Sequence, residues 1–281
     1  MLSGNATLAA VIGWPVGHSL SPRLHGYWLE KYAIDGAYVP LAIAPDDFEA
    51  AVRMLPNMGF AGANVTVPHK RAALTAVHKA DENARRVGAV NTIVCQPDGT
   101  LLGQNTDGFG FMENIGSNCP DWNAKGKPAV ILGAGGAARA IVAALIDAGV
   151  SELRLVNRTE KNAEALAADI GGAISVVGWG DAAAALDGAG LLVNTTTLGM
   201  TGKPLLELSL DTLPLDAVVT DVVYAPLETP LLQQARARGN PAVDGLGMLL
   251  HQARPGFSAW YGTEPEVTEE QRSFVLGQSG T

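Results

Sequence analysis

The sequence predicts an α/β protein of two domains, and three observations carry that expectation. A chain of 281 residues is longer than one typical compact core and suits two domains of roughly 100–150 residues each. Short apolar runs alternate with longer amphipathic stretches throughout, the pattern of largely parallel sheets covered by helices. Finally, the turn Gly133-Ala134-Gly135-Gly136-Ala137-Ala138 stands between a strand-like run and a helical one, the context in which such glycines open a dinucleotide-binding unit.

In the first third, strands are expected near Leu8–Ile12, Tyr38–Ile43 and Gly62–Val65. Helices should open at Pro22, Pro45 and Pro68, because proline's fixed φ suits the first helical turn. Ala89–Cys95 reads as a further strand, followed by a turn at Pro97-Asp98-Gly99. After the polar segment Ser117–Lys127 a second unit starts with a strand at Ala129–Leu132, the glycine turn and a helix over Ala137–Ala148 ended by Gly149. A strand at Glu152–Val156, a helix at Glu160–Asp169 and a strand at Ile174–Val177 come next. A helix near Asp181–Leu186 and strands at Leu191–Asn194 and Val218–Val223 complete a doubly wound, Rossmann-type parallel sheet. Leu246–Tyr261 reads as a helix of about four turns, which Pro255 should kink or interrupt.

Bulk properties narrow the function. With 47% hydrophobic and 17% charged residues the chain can bury substantial cores. A net charge of −9 argues against nucleic acid as a partner, since phosphate backbones need a basic face. Cys95 and Cys119 form neither a metal-ligand spacing nor a disulfide framework, which fits a reducing cytosol. The start of the chain lacks a basic region before its short apolar run, so no targeting signal is read there. Apolar runs such as Ala140–Ile146 fall far below the ~20 residues that span a bilayer. A soluble, cytoplasmic protein without membrane partners is expected. The five histidines make no metal-ligand pattern, so no metal is expected, and no Gly-x-Ser-x-Gly elbow suggests a hydrolase.

Gly133-x-Gly135-x-x-Ala138 matches the dinucleotide fingerprint. Gly133 permits the tight turn, Gly135 lets backbone approach a pyrophosphate, and Ala138 allows close helix–strand packing. Gly136 and Ala137 begin the helix whose N–H groups and dipole favour the phosphates. After the next strand, Asn157-Arg158-Thr159 stands where NAD enzymes often carry an acid for the ribose hydroxyl. Arg158 can instead hold a 2′-phosphate with a fixed fork of donors, which favours NADP. A bland reading has Arg158 flanking a solvated helix start.

Upstream lie Asn64-Val65-Thr66-Val67-Pro68-His69-Lys70 and Asn105-Thr106-Asp107-Gly108. A lysine and an aspartate in polar loops, followed by a dinucleotide signature, supply what a carbonyl-reducing enzyme needs: a proton donor, its orienting partner and a hydride source. Asp107 could equally cap the helix that follows it. Ser21 before Pro22 reads as an N-cap and first helical residue, although serines at a helix N-terminus also suit a carboxylate.

Together these motifs resemble the shikimate dehydrogenase family, from about Gly13 to Gly262. The resemblance implies an N-terminal substrate and catalytic domain over residues 1–110, an NADP-binding Rossmann domain over 111–244, and C-terminal helices over 245–281 that return to the substrate domain. It implies NADPH-dependent, reversible reduction of 3-dehydroshikimate to shikimate on the route to chorismate and aromatic amino acids. Lys70 would exchange the proton with the substrate oxygen, and Asp107 would orient Lys70. Ser19 and Ser21 would take the substrate carboxylate, with Asn64, Thr66, Asn91, Tyr224 and Gln252 contacting the ring. On the cofactor side the resemblance places Glu82, the turn with Ala134, Asn157, Arg158, Thr159, Thr196, Val222, Gly245 and Met248. The family commonly has a second basic residue where this chain has Asn162, and Lys161 beside it is a substitute. A quinate or dual quinate/shikimate dehydrogenase is the alternative within the class, and a catalytically silent NADP-binding sensor the alternative outside it. Monomer and homodimer both stay open.

Overall fold

The computed structural model describes residues 2–277, and the chain forms two compact units. One takes the chain up to Thr106 and again from Leu249; the other is Asp107–Met248. The chain has two α/β units, the second with a Rossmann-type doubly wound sheet.

The first unit runs β1 (Thr7–Gly13), α1 (Ser21–Lys31), β2 (Gly36–Ala42), α2 (Phe48–Met54), β3 (Phe60–Val65), α3 (Lys70–Ala76), β4 (Lys79–Ala80), α4 (Glu82–Val87), β5 (Thr92–Cys95) and β6 (Leu101–Gln104). Its sheet has the order β2-β1-β3-β5-β6-β4. It is mixed rather than largely parallel, because β5 pairs antiparallel with both β3 and β6. The cause is local: β5 and β6 are joined by a hairpin closed by Gln96 N–H to Thr100 O at 2.8 Å, with Gly99 at φ 80°. A tight turn of this kind can only join antiparallel strands. One face of the sheet carries Phe48, Val52, Leu55, Ile93 and Leu101, all fully buried.

Three expected element starts are corrected here. Pro45 opens a short 3₁₀ turn, Pro45–Asp47, before α2, and Pro68 precedes α3 by two residues instead of opening it. Residues 89–91 are not strand; β5 begins at Thr92, so Asn91 ends a loop.

The second unit runs α5 (Asp107–Asn118), β7 (Ala129–Leu132), α6 (Gly136–Asp147), β8 (Leu153–Asn157), α7 (Glu160–Ile170), β9 (Ile174–Gly178), β10 (Leu191–Asn194), β11 (Val218–Asp221), α8 (Pro230–Arg238) and β12 (Ala242–Val243). The strands are all parallel in the order β12-β11-β10-β7-β8-β9. This is the doubly wound order, and its switch point between β7 and β10 is where such sheets receive ligands. Asp181–Leu186 is not a helix but parts of two 3₁₀ turns, Trp179–Asp181 and Ala184–Leu186. Gly108 lets α5 approach α6, since a Cβ there would lie 2.8 Å from the Ala140 carbonyl.

The chain ends with α9 (Leu246–Tyr261) and α10 (Glu269–Val275). Pro255 lies inside α9 without interrupting it. A mid-helix proline costs about 3 kcal/mol. Full burial of Phe257 and near-full burial of Trp260 return about 1.5–3 kcal/mol each, which offsets it. Trp260 also donates from Nε1 to the Ile93 carbonyl at 3.0 Å. In the first unit α9 lies beside Gly62, where a Cβ would stand 2.8 Å from Trp260 Cδ1.

Candidate active site

In the first unit, strand direction explains why distant motifs meet at one sheet edge. Asn64 is the penultimate residue of β3, paired with Thr92 at the start of antiparallel β5, which is paired in turn with Gln104 at the end of β6. Asn64, Asn91, Thr92, Asn105 and Thr106 therefore share that edge, and all are buried. Asn91 donates to Thr106 Oγ1 at 3.0 Å and to Gln252 Oε1 at 3.2 Å, and its Oδ1 accepts from the Thr106 N–H at 2.8 Å. Thr106 Oγ1 donates to the Gln252 carbonyl at 2.8 Å, tying α9 to the end of β6. Gln252 is thus brought to Asn91 across 161 residues of sequence.

Lys70 is half-buried at the start of α3, directly after the short turn that follows β3, and its carbonyl accepts from Val90 N–H at 2.9 Å. Thr66 is held by its N–H to the Ile12 carbonyl, at the neighbouring strand end. His69, beside Lys70, faces away: it stacks on Phe48 at 4.3 Å and bonds the Ile43 carbonyl through Nε2 at 2.8 Å. That contact anchors the loop that carries Lys70. Ser21 is not an N-cap, since α1 begins at Ser21 and its cap position, Leu20, has no side-chain bond. The Ser21 N–H instead donates to Ser19 Oγ at 3.3 Å, and Ser21 is itself buried. Glu82 is the exposed first residue of α4, whose cap is Asp81.

In the second unit the glycine turn lies at the switch point. Gly133 has φ 103°, and a Cβ on it would lie 2.7 Å from Thr195 Oγ1. Nothing lies within 4 Å of where a Cβ on Gly135 or Gly136 would stand. Gly135 gives α6 no side-chain cap, so the first-turn N–H groups of this 12-residue helix face that open space. A pyrophosphate fits such a cradle. At the end of β8, Asn157 is half-buried and Arg158, Thr159, Lys161 and Asn162 are exposed. The strand end Asn157-Arg158-Thr159 itself carries no acid, and Glu160 follows as the exposed first residue of α7.

The loops beside the turn depend on a buried network that the motifs did not single out. Asp221 accepts from Asn194 Nδ2 at 3.0 Å, Val223 N–H at 3.0 Å and Thr229 Oγ1 at 2.8 Å. Burial pushes its pKa up, and these three donors partly counter that. Asn194 Oδ1 accepts from both Thr196 N–H and Thr196 Oγ1, and Val222 N–H bonds the Asn194 carbonyl. Thr196 and Val222 are thereby both tied to Asn194. Gly245 packs on the Val222 carbonyl, 2.5 Å from where its Cβ would stand, which gives that glycine a reason of its own. Met248 is buried. Tyr224 is half-buried, which raises its phenol pKa. The signal that could have exposed the network was Asp221, a carboxylate ending the short buried strand Val218–Asp221.

Among the described residues no three His, Cys, Asp or Glu side chains are grouped to hold a metal ion, and no helix is long and apolar enough to cross a membrane.

The model of the shikimate dehydrogenase substrate-binding domain matches residues 11–93, and that of shikimate/quinate 5-dehydrogenase matches residues 117–200. A protein named shikimate dehydrogenase (NADP+) from Paramagnetospirillum magneticum is 61% identical over 98% of this chain and its own full length. The chain belongs to the shikimate dehydrogenase family. Among solved structures of the family, shikimate 5-dehydrogenase from Thermus thermophilus in complex with NADP(H) and shikimate has a TM-score of 0.84 at 34% identity, covering 97% of this chain and 98% of that one. Quinate dehydrogenase from Corynebacterium glutamicum in complex with NAD has a TM-score of 0.89 at 32% identity, covering 97% and 99%. The second of these shows that the same fold also serves another ring and another cofactor.

Proposed function

We infer that this chain catalyses the reversible, NADPH-dependent reduction of 3-dehydroshikimate to shikimate, as an oxidoreductase of the shikimate pathway. The observation that carries the reading is Lys70, half-buried directly beyond the buried polar strand edge in a chain that also has the open, uncapped glycine turn. When bound, NADPH supplies the hydride. Gly133–Ala137 and the start of α6 would hold its pyrophosphate, Arg158 its 2′-phosphate with Lys161 nearby in sequence, and Thr196 and Val222 would border it. The serine hydroxyls of Ser19 and Ser21 hold the substrate carboxylate. Asn64, Thr66, Asn91 and Gln252 offer short neutral donors and acceptors that suit ring hydroxyls, and Tyr224 is assigned to the substrate as well.

Lys70 gives its ammonium proton to the oxygen that becomes an alkoxide during reduction and takes it back in reverse. The ammonium also stabilises the developing negative charge. Asp107 orients that lysine through its negative charge. Glu82 has a sufficient role as an acidic first-turn residue, so its assignment to the cofactor is the least supported. A cytoplasmic setting without nucleic-acid partners belongs to the same reading, on the net charge of −9.

Initial rates of NADPH oxidation with 3-dehydroshikimate, then of shikimate and quinate oxidation with NADP and NAD, test the reading. Turnover with shikimate and NADP well above the other three pairs is expected. A preference for quinate would move the chain to the neighbouring activity, and binding without turnover would make it a sensor.

A further inference from the structure

We propose that Tyr38 is a positioning residue of the substrate site: its hydroxyl locks the Asn64 amide so that Asn64 can meet a ligand only as a hydrogen-bond acceptor. The proposal rests on the assignment of Asn64 to the substrate made above. The amide's orientation follows from its neighbours. Asn64 Nδ2 lies 3.3 Å from the Asn91 carbonyl, which can only accept, and 3.1 Å from Thr92 Oγ1. The nitrogen must face these two groups, which turns Oδ1 to Tyr38, whose hydroxyl donates to it at 2.7 Å.

The valences can then be counted. An asparagine side chain has two donor protons and two acceptor lone pairs on its oxygen. Both Asn64 protons are used within the strand edge, and Tyr38 takes one lone pair. A second lone pair is what the ligand can reach. A ring hydroxyl matches it, whereas a ketone oxygen in the same place would set lone pair against lone pair. Tyr38 thereby makes Asn64 selective for hydroxyl over carbonyl. Asn64 is 5% and Tyr38 7% exposed, so water cannot easily stand in for a wrongly turned amide. The phenol is itself held: its ring stacks on His25 at 3.8 Å with an interplanar angle of 1°.

Steady-state kinetics on Tyr38→Phe, Asn64→Ala and the double variant test this. Tyr38→Phe removes one oxygen and keeps the ring stacked on His25, and the KM for NADP, set by the other unit, reports an intact fold. The loss of one neutral buried hydrogen bond should raise the KM for shikimate about 3- to 10-fold, with kcat and the NADP KM changed by less than about twofold. Asn64→Ala should raise the shikimate KM at least as much, and Tyr38→Phe should add nothing in that background, because no amide remains to be held. An unchanged shikimate KM in Tyr38→Phe, with a raised one in Asn64→Ala, overturns the role of Tyr38 and leaves the substrate assignment standing. Effects that multiply in the double variant also overturn it. An unchanged KM in Asn64→Ala removes the substrate assignment, and the proposal with it.

Discussion

Among the side chains of the strand edge and its loops, Lys70 alone combines a proton to give with a positive charge that stays at the reacting oxygen. Its contribution should therefore appear in the transition state, where negative charge develops. Lys70→Ala is expected to lower kcat by about 10²–10⁴-fold, the scale of a positioned acid–base group. KM should move far less, because Ser19, Ser21, Asn91 and Gln252 would still hold the ring. Asp107→Asn should also slow turnover, and the double variant should fall short of the product of the two losses. An intact kcat with a greatly raised KM would make Lys70 a binding group only. Arg158 poses a different residue-scale question, since its fork serves only a ligand with a 2′-phosphate. A charged hydrogen bond is worth roughly 1.5–3 kcal/mol, so Arg158→Ala should cost NADP about 10- to 150-fold more affinity than NAD. Equal losses for the two cofactors, measured by titration, would sink the assignment.

At the scale of elements, the ends of β10 and β11 depend on one carboxylate. Asp221 accepts three donors, and through Asn194 it fixes the loop of Thr196 and the backbone of Val222. In Asp221→Asn an amide nitrogen must face at least one of those donors, and a buried group left unpaired costs about 1–3 kcal/mol. The variant should therefore raise the KM for NADP by about 5-fold or more while leaving the shikimate KM in place, and lower the unfolding midpoint. A variant that loses stability but keeps its NADP KM would confine Asp221 to packing. The sequence made most of the second sheet legible because its strands are parallel and the central ones, β7, β8, β10 and β11, are largely buried, so each reads as an apolar run, whereas the two-residue edge strand β12 went unread. In the first sheet the short β6 and two-residue β4 carried no such contrast, and a hairpin turned the expected parallel arrangement into a mixed one. Glycine turns and the Lys70 loop were legible because their chemistry is local. Tyr38 was not, because an aromatic residue in a strand reads as core, and its hydroxyl gains meaning only from Asn64, brought alongside by β1 and β3.

For the molecule as a whole, His25 links stability to pH. Its ring is fully buried among Tyr38, Trp28, Phe257 and Trp260, none of which carries charge, and neither ring nitrogen has a hydrogen-bond partner among the described residues. Burial pulls its pKa down from 6.5 to about 3, with the neighbouring Asn64 amide opposing weakly. The native chain thus keeps His25 neutral at pH values where the unfolded chain protonates it. Below pH 6.5 and down to about 3 the unfolded state binds the extra proton, so stability falls as pH falls through that window and is unaffected by His25 above it. Between pH 7.5 and 5.0 the loss from this one group should be about 2 kcal/mol, on the relation of about 1.4 kcal/mol per pKa unit. His25→Phe keeps a flat ring against Tyr38 and has no hydrogen bond to lose, so it should fold. Urea unfolding of both proteins at the two pH values checks the effect. The drop in unfolding free energy from pH 7.5 to 5.0 should be smaller in His25→Phe by about 2 kcal/mol, since the carboxylates that also titrate are shared and cancel in the comparison. Equal drops in the two proteins would mean that His25 takes up its proton in the folded state, and that the aromatic cluster is open to water.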